Sequence, residues 1–260
     1  TFKVDKNGRI DPIVSYFING EAYSAHTRSD LIRQINVTRN RFKTFLSYAK
    51  LPFDQTFLPD ELNEADLFKS EILESVYLEN LGDGKFNSRA LPIDAQVSPI
   101  FGMIVEDFNN DGNEDILVVG NLYSMQVGLG RSDASNGLLL LGNGRGEFLK
   151  ADSGFHASKD AKALVRVNRS NGKSLYINSN NNDQLNVFEE INSNHSIFKI
   201  DKNISSLIIY DNDKKSRKKE FYFGSSYLSQ SSRSLKVNDR IDSIQLKLFN
   251  GEKQTIKFKK

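Results

Sequence analysis

Nine consecutive residues carry the densest chemistry in the chain: Asp107-Phe108-Asn109-Asn110-Asp111-Gly112-Asn113-Glu114-Asp115, a D-x-N-x-D-G-x-x-D pattern. Oxygen side chains stand at loop positions 1, 3 and 5, a glycine at 6 permits a sharp turn, a backbone carbonyl is available at 7, and a carboxylate closes the loop at 9. This arrangement wraps a hard cation. Asp107, Asn109, Asp111 and Asp115 with the Asn113 carbonyl and water supply about six or seven oxygens, which suits Ca²⁺. No soft ligand competes, so zinc and copper are poor candidates. An EF-hand requires a bidentate Glu at position 12, where this chain has Val118, and it requires flanking helices. Here the flanks, Ile100–Val105 and Ile116–Val119, are short apolar runs bounded by turn signals, which predict strands. The competing reading is an Asp/Asn/Gly-rich β-turn without metal. Lys3 to Asp11 forms a second, weaker copy with Asp5, Asn7 and Asp11 as ligands and Gly8 at the turn. Its first position is Lys3, whose ammonium removes a ligand and adds a repelling charge.

Other chemistries are poorly supplied. The 260 residues contain no cysteine, which removes disulfides, thiolate nucleophiles and Cys-based metal sites together, and His26, His156 and His195 are scattered singly. Paired carboxylates for glycoside chemistry would have to come from Asp133, Glu147 or Asp152, each of which also reads as a solvated turn residue. Lys+Arg minus Asp+Glu is 35 − 33 = +2, so no global field draws the protein to nucleic acid or anionic lipid. The one basic run, Lys214 to Lys219, is flanked by Asp211 and Asp213 and has no interleaved aromatic; we expect no nucleic-acid partner. No apolar run approaches the roughly 18 residues that span a bilayer, which excludes a helical membrane protein. Arg131 and Asp133 are expected to pair across a loop, and Tyr227 to sit at a core edge.

The elements that position these residues are mostly strands. Val76–Phe86 aligns without a gap on Leu138–Phe148, about 62 residues later: an apolar strand, a G-x-G turn, then Phe returning to a core. That spacing suits a β-propeller blade with an insertion better than a minimal blade of roughly 40–50 residues. Between Ser29 and Leu67 the period becomes helical, with Leu31, Ile32 and Ile35 marking one stretch and Phe42, Phe45, Leu46 and Ala49 a second, for which Thr38 is the expected N-cap. Further strands are predicted at Ala163–Val167, Ser174–Ile177 and Leu185–Phe188. From about Ile197, alternation through Ile204, Leu207, Ile209, Ile241, Ile244, Leu246 and Leu248 predicts an antiparallel module. The expected fold class is mainly β, with propeller blades and a helical insertion over about 29–67 in residues 1–190, and a small antiparallel module over 191–260.

The order strand, D-x-[DN]-x-D-G-x-x-D loop, strand, insertion, strand, G-x-G-x-F turn resembles the FG-GAP/VCBS repeat family over roughly residues 1–188, with Phe101-Gly102 where that family has Phe-Gly. Phe223-Gly224-Ser225-Ser226-Tyr227-Leu228-Ser229-Gln230 looks like the G-x-G-Y-L-S-Q signature of the ASPIC/UnbV module, with Ser225-Ser226 replacing part of its glycine pattern. The helical inset and the Arg131–Ser135 loop are similar to those of long VCBS-repeat proteins of Bacteroidetes-type bacteria. The resemblance implies a calcium-loop β-propeller and the C-terminal part of a longer, exported protein. It also implies residence at the cell surface, outer membrane or periplasm, with a protein partner in an outer-membrane or surface complex and a glycan as a further ligand class. The expected function is therefore a non-enzymatic, calcium-stabilised binding or scaffold module; the alternative is a carbohydrate-active lyase or hydrolase built on a propeller.

Overall fold

The computed structural model describes residues 8–63, 65–125, 127–128, 130–169, 171–191, 195–213 and 215–258. Asp5 and Asn7 of the weaker loop, and Lys214 of the basic run, lie outside these residues. The chain is mainly β and divides into two compact units, residues 1–73 and 74–260. Residues 191–260 thus share a unit with 74–190. Among the described residues no helix is long and apolar enough to cross a membrane.

The first unit opens on a hairpin, β1 (Ser15–Ile18) and β2 (Glu21–Ser24), followed by α1 (Arg28–Gln34), a 3-10 turn at 36–39, and three short helices, α2 (Phe45–Ala49), α3 (Phe53–Thr56) and α4 (Pro59–Leu62). Thr27 caps α1 by accepting from Asp30 N. Thr38 is not an N-cap, contrary to the sequence expectation. It is fully buried in the 3-10 turn, its hydroxyl donates to Ile35 O, and its carbonyl ties down the amides of Arg41 and Phe42. The second helix therefore starts later, where Thr44 and Ser47 form a reciprocal capping box. That shift rotates Phe45 and Leu46 out to solvent, 66% and 75% exposed, while Phe42 stays in the core with Leu31, Ile35 and Phe57. Asp11 of the weaker loop is buried.

In the larger unit, β3 (Val76–Gly82) and β4 (Lys85–Ala90) form a two-stranded hairpin. Four consecutive strands, β5 (Ile100–Glu106), β6 (Asp115–Gly120), β7 (Leu138–Gly142) and β8 (Phe148–Ala151), form an antiparallel meander in the order β5-β6-β7-β8. Central β6 is buried along its whole length, so its Ile-Leu-Val-Val run is apolar on both faces. β9 (Ala161–Asn168), β10 (Ser174–Asn180) and β11 (Asn186–Glu189) make a three-stranded sheet, in which β9 packs on β5. Gly102 allows this approach: a Cβ there would lie 2.7 Å from Leu164 N. Ile104, Leu117, Val119, Leu139, Ala161, Leu164 and Tyr176 form the shared core.

The last strands make a pair, β12 (Ser196–Lys199) with β15 (Ser234–Val237), and a four-stranded sheet of β13 (Ile204–Asp211), β14 (Ser216–Glu220), β16 (Ile241–Leu248) and β17 (Lys253–Lys257), ordered β14-β13-β16-β17. A bulge at Ser205 shifts the β13–β16 register, which explains why buried Ile204 is followed by buried Leu207 and Ile209 rather than by strict alternation. The two G-x-G segments are both hairpins, with Gly82, Gly84, Gly144 and Gly146 at φ of +71° to +84°. The expectation that both Phe residues return to a core holds for Phe148, which packs with Ala95, Ile116 and Leu140. It fails for Phe86, 59% exposed, because among the described residues no further strand is laid beside β3–β4.

Candidate metal centre

Glu106 and Asp115 face each other as the closing pair of β5 and β6, so the loop of 107–114 is a connection between adjacent strands. Its oxygens are ordered by the loop's own amides. The Asp107 carboxylate accepts from Asp111 N at 3.1 Å and Gly112 N at 2.9 Å. Asn109 Oδ1 accepts from Asp111 N at 3.0 Å, and Asp111 Oδ1 from Asn113 N at 2.7 Å. Asn109 Nδ2 reaches the other Asp111 oxygen at 3.0 Å. Asp115 is fully buried; its two oxygens accept from Phe108 N at 2.8 Å and from Gly142 N at 2.9 Å, tying the loop's base to the end of β7. Gly112 has φ +93°, a left-handed conformation that side chains rarely adopt, and the turn at position 6 depends on it.

Asp107, Asp111 and Asp115 are close enough to repel one another. Burial raises the Asp107 pKa, and the carboxylates of Asp111 and Asp115 raise it further against the Gly112 N–H and Arg217. Burial and Asp111 likewise hold Asp115 above the usual aspartate range, although three loop and strand amides favour its charge. Among the described residues no three His, Asp or Glu side chains form a ready-made cluster for an ion. The donors nevertheless fit a hard cation in type. Each ionised carboxylate has about four acceptor positions, of which the loop's N–H groups use one or two. A cavity of about 280 Å³ opens beside Asp107 and Asp111.

A cluster of buried charge lies directly below the loop, and the sequence reading did not find it. Glu106, 7% exposed, pairs with Arg166 and stands 3.3 Å from Lys236 Nζ. Lys236 also bonds Glu190 at 2.8 Å and the Tyr176 hydroxyl at 2.7 Å, and that hydroxyl donates to Glu106 at 3.2 Å. His195 Nε2 stands 3.8 Å from Glu190. Burial raises the Glu106 pKa, but Arg166, Lys236 and Lys219 together bring it below the usual range. Burial and the two glutamates raise the Tyr176 phenol pKa, while burial and then Lys236 lower that of His195 from its ordinary value. The neighbouring cavity is about 20 Å³, room for one water and no substrate. The cluster joins β5, β9, β10 and β15 with Glu190 just after β11 and His195 just before β12, and its geometry is that of an internal brace.

The remaining candidates take local roles. Glu147 accepts from Asn143 Nδ2 at 2.6 Å and closes the β7–β8 turn, and Asp152 accepts from Gly154 N. Arg131 lies 4.9 Å over the Tyr123 ring, and among the described residues no ion pair joins it to Asp133. The cause is the Leu122–Ser132 bridge, which sets Arg131 opposite Tyr123. Tyr227 meets the Phe101 ring edge-on at 6.0 Å, and Gln230 turns back to Gly224 N and Ser231 O.

No family model and no curated protein matches this sequence. Among solved structures, virginiamycin B lyase from Staphylococcus aureus is similar at 12% identity and a TM-score of 0.19, over 63% of this chain and 57% of that one. The chain thus spans less than two thirds of that protein's length, and a likeness of this size says nothing of function.

Proposed function

We propose that the chain is a non-enzymatic, calcium-stabilised binding or scaffold module, with blades of the FG-GAP/VCBS β-propeller type and an ASPIC/UnbV-like end. The observation that carries this reading is the β5–β6 connection. A four-stranded antiparallel meander places eight residues between its first two strands which, with Asp115 opening the second, carry oxygen donors at positions 1, 3, 5 and 9 and a left-handed glycine at 6. Asp107, Asn109, Asp111, the Asn113 carbonyl and Asp115 would hold the ion. The ion would supply the positive charge that the facing carboxylates lack, stabilising the loop and joining strand ends rather than activating a substrate. Asp11 belongs to the weaker loop, whose ligation is a separate proposal.

The scaffold role is favoured over a carbohydrate-active enzyme by the local use of Glu147 and Asp152. Glu147 and Asp152 close turns, and Glu106 is buried against Arg166 with room for a water alone. We place the protein outside the cytoplasm, at the cell surface, outer membrane or periplasm, with a protein partner in a surface complex and a glycan as a second ligand class. Calorimetric titration of the full chain with calcium chloride tests the metal, and a screen for cleavage of acidic and neutral glycans tests the absence of catalysis. Saturable binding of about one calcium ion, with intact glycans, is expected. Failure to bind calcium, or glycan cleavage abolished by changing Asp133 or Glu147, would overturn the reading.

A further inference from the structure

The C-terminal strands grip the β5–β6 loop at positions that alternate with its oxygen donors. Arg217 on β14 donates to Gly112 O at 2.7 Å, and its Nε lies 3.3 Å from Glu114 Oε1. Lys219, two residues along the same strand, donates to Val105 O at 3.0 Å and reaches Glu114 Oε2 at 3.5 Å. Asn238, after β15, donates to Asn110 Oδ1 at 3.0 Å. Arg240 stands close over Gly112, with Nη1 3.1 Å from where a Cβ would be. Within the loop these contacts fall on residues 110, 112 and 114, whereas the candidate ligands are 107, 109, 111, 113 and 115.

The grip and the candidate ligand set use different atoms: Arg217 takes the Gly112 carbonyl, Asn238 the Asn110 side chain, and Arg217 and Lys219 the Glu114 carboxylate. Arg217, Lys219 and Arg240 are three cations beside a cation site, which would ordinarily weaken it by like-charge repulsion. Arg217 and Lys219 converge on Glu114, the loop's one carboxylate outside the ligand set, so their charge is partly answered there.

We infer that Arg217, Lys219 and Asn238 are positioning residues that hold the β5–β6 loop in its turn from outside, and that the C-terminal sheet sets the cation affinity of a loop more than 100 residues upstream. The second clause rests on the proposed calcium reading; the first stands without metal. A 191–260 module that merely followed the meander in sequence would leave the loop unchanged when its contacts were cut.

Two readouts on the full chain separate the two readings. Hydrogen exchange of the Gly112 and Asn113 amides in chelator reports the clamp alone, and titration with calcium ion reports its effect on binding. Arg217→Ala and Asn238→Ala are the test variants, with Lys218→Ala on the outward side of β14, where it pairs with Glu220, as the control. Circular dichroism checks that each remains folded, and Asn238→Ala, a change in an exposed turn, keeps the test alive should Arg217→Ala unfold. We expect faster loop exchange in both test variants and a calcium Kd raised about 10–100-fold, the usual effect of removing a residue that orients metal ligands. Lys218→Ala should change neither. Unchanged exchange in both test variants would overturn the clamp. Faster exchange with an unchanged Kd would overturn its control of affinity, and absence of calcium binding in the unaltered chain would instead overturn the proposed function.

Discussion

Two acidic regions meet at the Glu106–Asp107 peptide bond, and they are solved in opposite ways. Glu106 is deeply buried, yet Arg166 and Lys236 close around it and keep it ionised. One residue on, Asp107 has amides and other carboxylates for its nearest company and is held above the usual aspartate range, as is Asp115. Inside the brace the protein supplies its own counter-charge. Inside the loop, amides and Arg217 offset the Asp107 charge only in part, and under the proposed calcium reading the balance falls to a cation from solution. Stability that depends on Glu106 should therefore ignore calcium, whereas stability that depends on Asp111 should appear only with it.

The largest expected effect is in the brace. Glu106→Gln leaves Arg166 and Lys236 without their shared carboxylate and should destabilise the larger unit by about 3–5 kcal/mol, the range for breaking a buried ion pair from one side. Urea denaturation in calcium and in chelator should give the same loss; a loss confined to calcium would merge the two regions into one. Asp111→Ala should behave in the opposite manner. Binding to the folded state alone stabilises by about 2.7 kcal/mol when ligand is at a hundredfold excess over Kd, so the variant should melt earlier in calcium and nearly with the parent in chelator. Equal shifts in both media would make Asp111 a turn residue only.

A smaller effect separates the regions by pH. His195, buried near Lys236, Arg166, Glu190 and Glu106, has its pKa lowered in the folded protein. The unfolded chain takes up a proton on it as pH falls below about 6.5. Its contribution is therefore intact above that value and lost as pH falls toward the depressed folded value. Between pH 7.5 and 5.5 the parent should lose more stability than His195→Asn, with the same difference in calcium and in chelator. Parallel losses would place His195 outside the brace.

The loop was legible because its chemistry is local: five oxygen positions and a glycine within nine residues announce themselves by type and spacing. The brace was not, because Glu106, Arg166, Tyr176, Glu190, His195 and Lys236 are brought together only by sheet packing. One signal was present. Arg166 falls in phase with Leu164 on the inward face of β9, where a charge must find a partner, while Val165 and Val167 point the other way. Alternation also located the C-terminal sheet, although the bulge at Ser205 was invisible in the pattern. In the first unit the 3.6-residue period put Phe45 and Leu46 on the core side. The capping pair Thr44 and Ser47, three residues apart, was the stronger indication of where that helix begins.

The most direct test of the central contrast is a crystal structure of the full chain grown in millimolar calcium. We predict one ion in the β5–β6 loop, bound by Asp107, Asn109, Asp111, the Asn113 carbonyl and Asp115 at about 2.3–2.6 Å, with Glu106 still paired to Arg166 and Lys236. An ordered loop with no ion between those oxygens, its carboxylates still held by the amides of Asp111, Gly112 and Phe108, would contradict the account.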